Sequence, residues 1–145
     1  MSTNLLFDEN FGKPIVEALA RLMGFHPDRP RVEHLINFER REGAKDEEWI
    51  PKAAEGDWVI VTCDRGAHGA SKLPRICRQY KVTHVLLVGR LVHRQQFERI
   101  RAILVVWPGL IMATDKPPGS RFKLKATAGH PVLELVEVGR SVNKS

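Results

Sequence analysis

The sequence predicts a three-layer α/β/α sandwich around a mainly parallel sheet, finished by a C-terminal β-hairpin. Three observations predict it. Short aliphatic or β-branched runs recur at 5–7, 59–61 and 83–88, each too short for a helix. Strands buried on both faces of a parallel sheet read this way. Segments with helical apolar spacing separate these runs, and such alternation calls for helices on both faces of the sheet. Finally, runs at 122–127 and 132–138 flank an Ala-Gly-His-Pro turn, the pattern of a hairpin.

The elements follow in chain order. Leu5-Leu6-Phe7 is a buried strand ending in Asp8-Glu9-Asn10. Gly12 and Pro14 open a helix whose apolar face is Ile15, Val16, Leu19, Leu22 and Met23, with Gly24 in the C′ role. A turn at 26–30 leads to a second strand expected over 32–38. The charged connection 39–44 precedes a helix beginning at Asp46, an acceptable N-cap, with Pro51 in its first turns and Gly56 beyond its end.

The central strand covers 58–62, followed by a loop at 66–71 and a basic helix around 72–80. Another buried strand at 83–88 closes with Gly89-Arg90. A helix is expected over 93–106 and a short strand over 110–113. Pro117-Pro118-Gly119-Ser120 is the only linker-like cluster. The expected organisation is a core over 1–116 and, in the same domain, a hairpin extension and tail over 117–145.

With 145 residues, the chain is long enough for one domain burying about two-thirds of its surface. Its 43% hydrophobic and 28% charged content is that of a soluble globular protein. The apolar runs are too short to span a bilayer, and no basic segment followed by an apolar one opens the chain. Two cysteines, Cys63 and Cys77, make no disulfide framework, so reduced thiols in a cytoplasmic protein are expected. The formal charge of +6 and pI near 9.7 are the electrostatic footprint of a nucleic-acid partner or of a plain basic surface.

Three carboxylates stand at element junctions: Asp8 after the first strand, Asp46 at a helix start and Asp64 after the central strand. Ligands of open α/β sheets bind at the carboxyl ends of the strands. Neighbouring strands lie roughly 5 Å apart, so Asp8 and Asp64 on adjacent strands can share one ion. Hard divalent cations take such oxygen ligands, and clustered carboxylates need a cation because like charges raise each other's pKa. Each acid alone has a plainer reading, as a turn or helix cap.

These residues resemble a known family. Strand-Asp8-Glu9-Asn10, then Asp46-x-x-Trp49-Ile50 leading into Ala53-Ala54, then Val59-Ile60-Val61-Thr62-x-Asp64 is similar to the PIN-like nucleases. Within them it looks most like the VapC-type toxin and Mut7-C-like branch. The resemblance covers roughly the first ninety residues. It implies a Mg²⁺- or Mn²⁺-dependent endoribonuclease and, further, the toxin of a toxin–antitoxin pair in a prokaryotic cytoplasm. It would make Asp8, Asp46 and Asp64 the metal ligands and Thr62 the hydroxyl that bonds a ligand carboxylate or its water. Glu9 and Glu47 would be auxiliary acids. Many relatives carry a further acid where this chain has Gly66, so a second metal, and cleavage itself, stay open; the alternative is a PIN-like module that binds RNA or protein without cutting.

Arg65 and Arg90 follow expected strand ends, while Lys72 and Arg94 stand at or near the starts of helices, so these four are the expected contacts for RNA phosphates. The expected partners are RNA and a cognate antitoxin protein, with a homodimer allowed and no membrane. Asp8-Glu9 also resembles the acidic pocket of receiver domains, but that fold wants a lysine after its last strand, where Arg90 stands. Cys63 reads as a packed thiol, since no His–acid partner is near it in sequence.

Overall fold

The computed structural model describes residues 3–63, 72–127 and 129–139. The chain runs β1 (Asn4–Phe7), α1 (Lys13–Met23), β2 (Arg31–His34), α2 (Leu35–Glu39), α3 (Asp46–Glu55) and β3 (Val59–Cys63). It continues through α4 (Lys72–Gln79), β4 (His84–Leu87), a 3-10 turn (Gly89–His93), α5 (Gln96–Val105), α6 (Trp107–Ala113), β5 (Arg121–Thr127) and β6 (His130–Glu137). The strands form one sheet in the order β2-β1-β3-β4-β5-β6. All neighbouring pairs are parallel except β5 with β6.

Side chains alternate across the sheet and so define two cores. Leu5, Phe7, Val59, Val61, Val85 and Leu87 face α1, α5 and α6, meeting Val16, Leu19, Ile103 and Leu110. Leu6 and Ile60 face the other way, toward Trp49, Ile50 and Ala53 of α3 and Ile76 and Cys77 of α4. The result is the α/β/α sandwich read from the sequence. Fully burying each Leu, Ile or Phe contributes about 1.5–3 kcal/mol, so the sheet is well anchored on both sides.

Two features of the topology position the candidate site. The chain leaves β1 for β2 on one side and later places β3 on the other, so the order reverses between β1 and β3. The carboxyl ends of these strands therefore border the crevice of a topological switch point. The second feature concerns the last crossovers. The connections β3–β4 and β4–β5 step the same way across the sheet, yet α4 packs on one face and α5 and α6 on the other. Those two crossovers have opposite hands, an exception to the strong right-handed preference. Its consequence is that α5 returns to the face of α1 and packs beside it.

Several elements differ from the sequence expectation. Residues 110–113 belong to helix α6, because Pro108 sits at its first turn, where a missing N–H costs nothing. Trp107, Leu110 and Ala113 then recur on one buried helical face. The expected strand at 32–38 ends at His34, whose ring Nδ1 accepts from the Ile36 N–H and caps α2. The expected helix over 93–106 is split into the 3-10 turn and α5. Asp46 is the first helical residue and Lys45 holds the N-cap position, while Pro51 lies inside the helix. Gly24 caps α1 with right-handed torsions, φ −62° and ψ −19°, so it is not the left-handed stop. The expected hairpin forms as β5 and β6 and joins the main sheet, where Phe122 and Leu124 pair with Val85 and Leu87. The loop expected at 66–71 lies outside the described residues.

Candidate metal centre

An open cleft of about 690 Å³ lies beyond the carboxyl end of β1, between the β1–α1 loop and the start of α3. Among the described residues, Asp8, Glu9, Asp46, Glu47 and Glu48 line it, with Lys45 and Lys72. Among the described residues, five carboxylates and two lysines make this an acidic cleft on a chain of formal charge +6. The two described acids expected as ligands, Asp8 and Asp46, thus share one cleft although 38 residues of sequence separate them (46 − 8).

Asp8 reaches the cleft because β1 ends one residue before it, its N–H donating to the Val61 carbonyl at 3.2 Å. Asn10 holds both oxygens of its carboxylate. The Asn10 N–H donates to Asp8 Oδ1 at 3.1 Å and the Asn10 side-chain amide to Oδ2 at 2.9 Å. An Asp followed two residues later by such a donor is a local turn that needs no helix or strand partner. Asp46 is positioned by the first turn of α3. The indole N–H of Trp49, buried in the core one turn later, donates to Asp46 Oδ1 at 3.1 Å. Burial raises the Asp46 carboxyl above the ordinary range, the Trp49 bond opposes that, and the Glu47 charge adds to the rise. Three acids in that first turn also meet the positive end of the helix dipole.

The other expected site residues fall as follows. Glu9 Oε1 accepts from the Gly43 N–H at 2.9 Å and so ties the 40–45 connection to the β1–α1 loop. Glu47 is ion-paired with Lys72 at the start of α4, and that contact lowers the exposed Glu47 carboxyl below its usual value. Lys72 is therefore a cleft residue with an acid partner. Arg90 and Arg94 are exposed on and after the 3-10 turn, at the carboxyl end of β4, and do not line the cleft. Asp64 and Arg65 lie outside the described residues.

The expected role of Thr62 is to bond a ligand carboxylate or its water, and Asp64 lies outside the described residues. Thr62 is fully buried, it does not line the cleft, and its hydroxyl is hydrogen-bonded to His84 Nε2 at 2.7 Å. The alternation along β3 places it on the face of Ile60, beneath the α3–α4 layer. Cys77 is no nucleophile either, since burial, assisted by the Asp46 charge, pushes its thiol up to about 12. Cys63 is buried in the core, as expected of a packed thiol.

Three residues missed at the sequence level pin the loop that carries Asp8. His34 Nε2–H donates to the Phe11 carbonyl at 2.7 Å, its Nδ1 being taken by Ile36. Gln96 of α5 accepts from the Gly12 N–H at 3.0 Å and donates to the Asn10 carbonyl at 3.2 Å. Arg99, one turn further, donates to that same Asn10 carbonyl at 2.9 Å. The available signal was a polar pair, Gln96 and Arg99, at i and i+3 on the face of α5 that also carries Ile100 and Ile103.

The carboxylates described in the cleft offer oxygen donors, which fits a hard divalent cation, and two of the three expected ligands line it. Among the described residues alone, no three His, Cys, Asp or Glu side chains come together to hold a metal ion. None of the described helices is long and apolar enough to cross a membrane.

Residues 3–85 match the family model described as a PIN like domain. Neither a curated protein nor a solved structure matches the chain. The match spans β1 through the start of β4, more than half of the chain, and contains the whole acidic cleft. The chain belongs to the PIN-like domain family.

Proposed function

We propose that the protein is a metal-dependent endoribonuclease, the toxin of a toxin–antitoxin pair. PIN-like domains are commonly nucleases, and one observation carries the reading here: Asp8 and Asp46 open onto the same acidic cleft at the switch point of the sheet. Asp8, Asp46 and Asp64 would hold Mg²⁺ or Mn²⁺. When bound, such an ion supplies a water nucleophile at neutral pH and offsets the charge gathering on a phosphodiester.

The chain's own residues have separate tasks in this account. Asn10 fixes both oxygens of Asp8, and Trp49 fixes one oxygen of Asp46, so neither carboxylate needs to be ordered when the substrate arrives. Arg90 and Arg94 offer exposed cations for RNA phosphates, and Lys72 can exchange Glu47 for a phosphate oxygen. The toxin assignment is carried by the sequence resemblance and brings with it an antitoxin protein, a cytoplasmic setting and a possible second copy.

A second reading has its own support. Gly66 stands where many relatives place an acid, which favours a module that binds RNA without cutting it. Incubating a mixed single-stranded and structured RNA set with Mg²⁺, Mn²⁺ or EDTA separates the two. Metal-dependent products ending in a linear phosphate support hydrolysis by water. Retention of intact RNA on the protein, at every metal tested, supports the binding module.

A further inference from the structure

Arg99 is a charged side chain in an apolar place. It is 4% exposed, on the inward side of α5 next to Ile100 and Ile103. Burying a charge is costly unless its hydrogen bonds are met, and here they are met by main-chain carbonyls. Nη1 donates to Asn10 at 2.9 Å, Nε to Leu91 at 3.2 Å, and Nη2 to Val92. Its Cζ also lies 5.9 Å from the centre of the Phe11 ring. The guanidinium therefore bridges two segments at the carboxyl edge of the sheet, the β1–α1 loop and the 3-10 turn bearing Arg90.

The contacts continue to the cleft. Asn10, whose carbonyl Arg99 binds, is the residue whose N–H and side-chain amide hold both oxygens of Asp8. We propose that Arg99 is a positioning residue that acts on Asp8 through Asn10 and couples the Asp8 loop to the Arg90 turn. The opposite hand of the last crossover is what makes this reach possible, because it returns α5 to the α1 face. Arginine suits the task, since its planar fork serves several acceptors in fixed directions, whereas a lysine ammonium serves them as one point. As a role in catalysis the inference rests on the nuclease reading; as a coupling of two loops it does not.

The test uses the full chain and the variants Arg99→Lys, Arg99→Met, Asn10→Ala and Arg99→Met with Asn10→Ala. Two readouts are taken: RNA cleavage with Mn²⁺ titrated, and amide hydrogen exchange. Outer-layer partners of metal ligands typically change activity or affinity by about 10- to 100-fold. Arg99→Met is expected to lower turnover by that order, to raise the Mn²⁺ needed for half-maximal rate, and to change the KM for RNA by less than it changes turnover. Asn10→Ala removes the side-chain amide and keeps the main-chain N–H and carbonyl, so the double variant is expected to lose less than the sum of the two single losses. Arg99→Lys is expected to fall between Arg99→Met and wild type.

Exchange is expected to quicken at the Asn10 and Gly12 amides and also at Arg94, whose N–H donates to Leu91. Fully additive losses, or a change in KM alone, would overturn the relay. Quickened exchange on only one of the two segments would overturn the coupling. If wild type cuts no RNA, the nuclease reading fails by itself, and the exchange readout still decides the coupling. If Arg99→Met does not fold, Arg99→Lys and Asn10→Ala carry both readouts.

Discussion

Acidification should expose a weakness built around His84. This imidazole is 1% exposed, its Nε2 is bonded to Thr62, and its Nδ1 has no hydrogen-bond partner among the described residues. Burial, with help from the Arg121 charge, lowers its pKa from 6.5 to about 3. The folded pKa is thus below the unfolded one, so below pH 6.5 the unfolded chain takes up a proton that the folded chain refuses. The contribution is full at pH 7 and is lost as pH falls from 6.5 toward 3. One pKa unit corresponds to about 1.4 kcal/mol, so moving from pH 7 to pH 5 costs about 2 kcal/mol, and moving to pH 4 about 3 kcal/mol.

Urea unfolding at pH 7, 5 and 4 measures this, with wild type beside the double variant Thr62→Val with His84→Leu. Replacing both partners by apolar groups avoids leaving one buried polar atom unpaired. Carboxylates titrate equally in the two proteins, so the difference between their pH profiles isolates His84. The double variant should lose about 2 kcal/mol less than wild type between pH 7 and 5. Parallel profiles would refute the reasoning.

Three further outcomes are expected. Trp49→Phe keeps the ring in the core but removes the N–H that binds Asp46, and should cost about 2 kcal/mol in denaturant unfolding. Lys72→Gln breaks an exposed ion pair and should change stability by less than about 1 kcal/mol, while the salt dependence of RNA binding falls by about one ion. Arg40 ends α2 in the left-handed region at φ 60°, so Arg40→Gly should raise the unfolding midpoint, the relief being about 1 kcal/mol.

Much of the fold was legible because a parallel sheet leaves strong local marks. The runs at Leu5, Val59 and Val85 are aliphatic on both faces, and a helical pattern separates each from the next. Residues 110–113 were misread because a four-residue apolar run fits a strand or a buried helix turn equally. The hand of the β4–β5 crossover has no local signature at all. In the cleft, Asp8 and Asp46 were legible as acids at element junctions. The residues that aim them were not: Gln96 and Arg99 act on a loop 84 to 89 residues away, which no local period reveals. Thr62 was half legible, since alternation turns it inward with Ile60, but its partner depends on the register that pairs Ile60 with His84.

The most direct measurement sets Mn²⁺ binding by calorimetry beside single-turnover RNA cleavage, for wild type, Asp8→Asn and Asp46→Asn. The account predicts that wild type binds the cation and cuts, and that each substitution weakens both together while the protein stays folded. Cleavage that persists in EDTA, or in both variants, would contradict it and place the chemistry elsewhere.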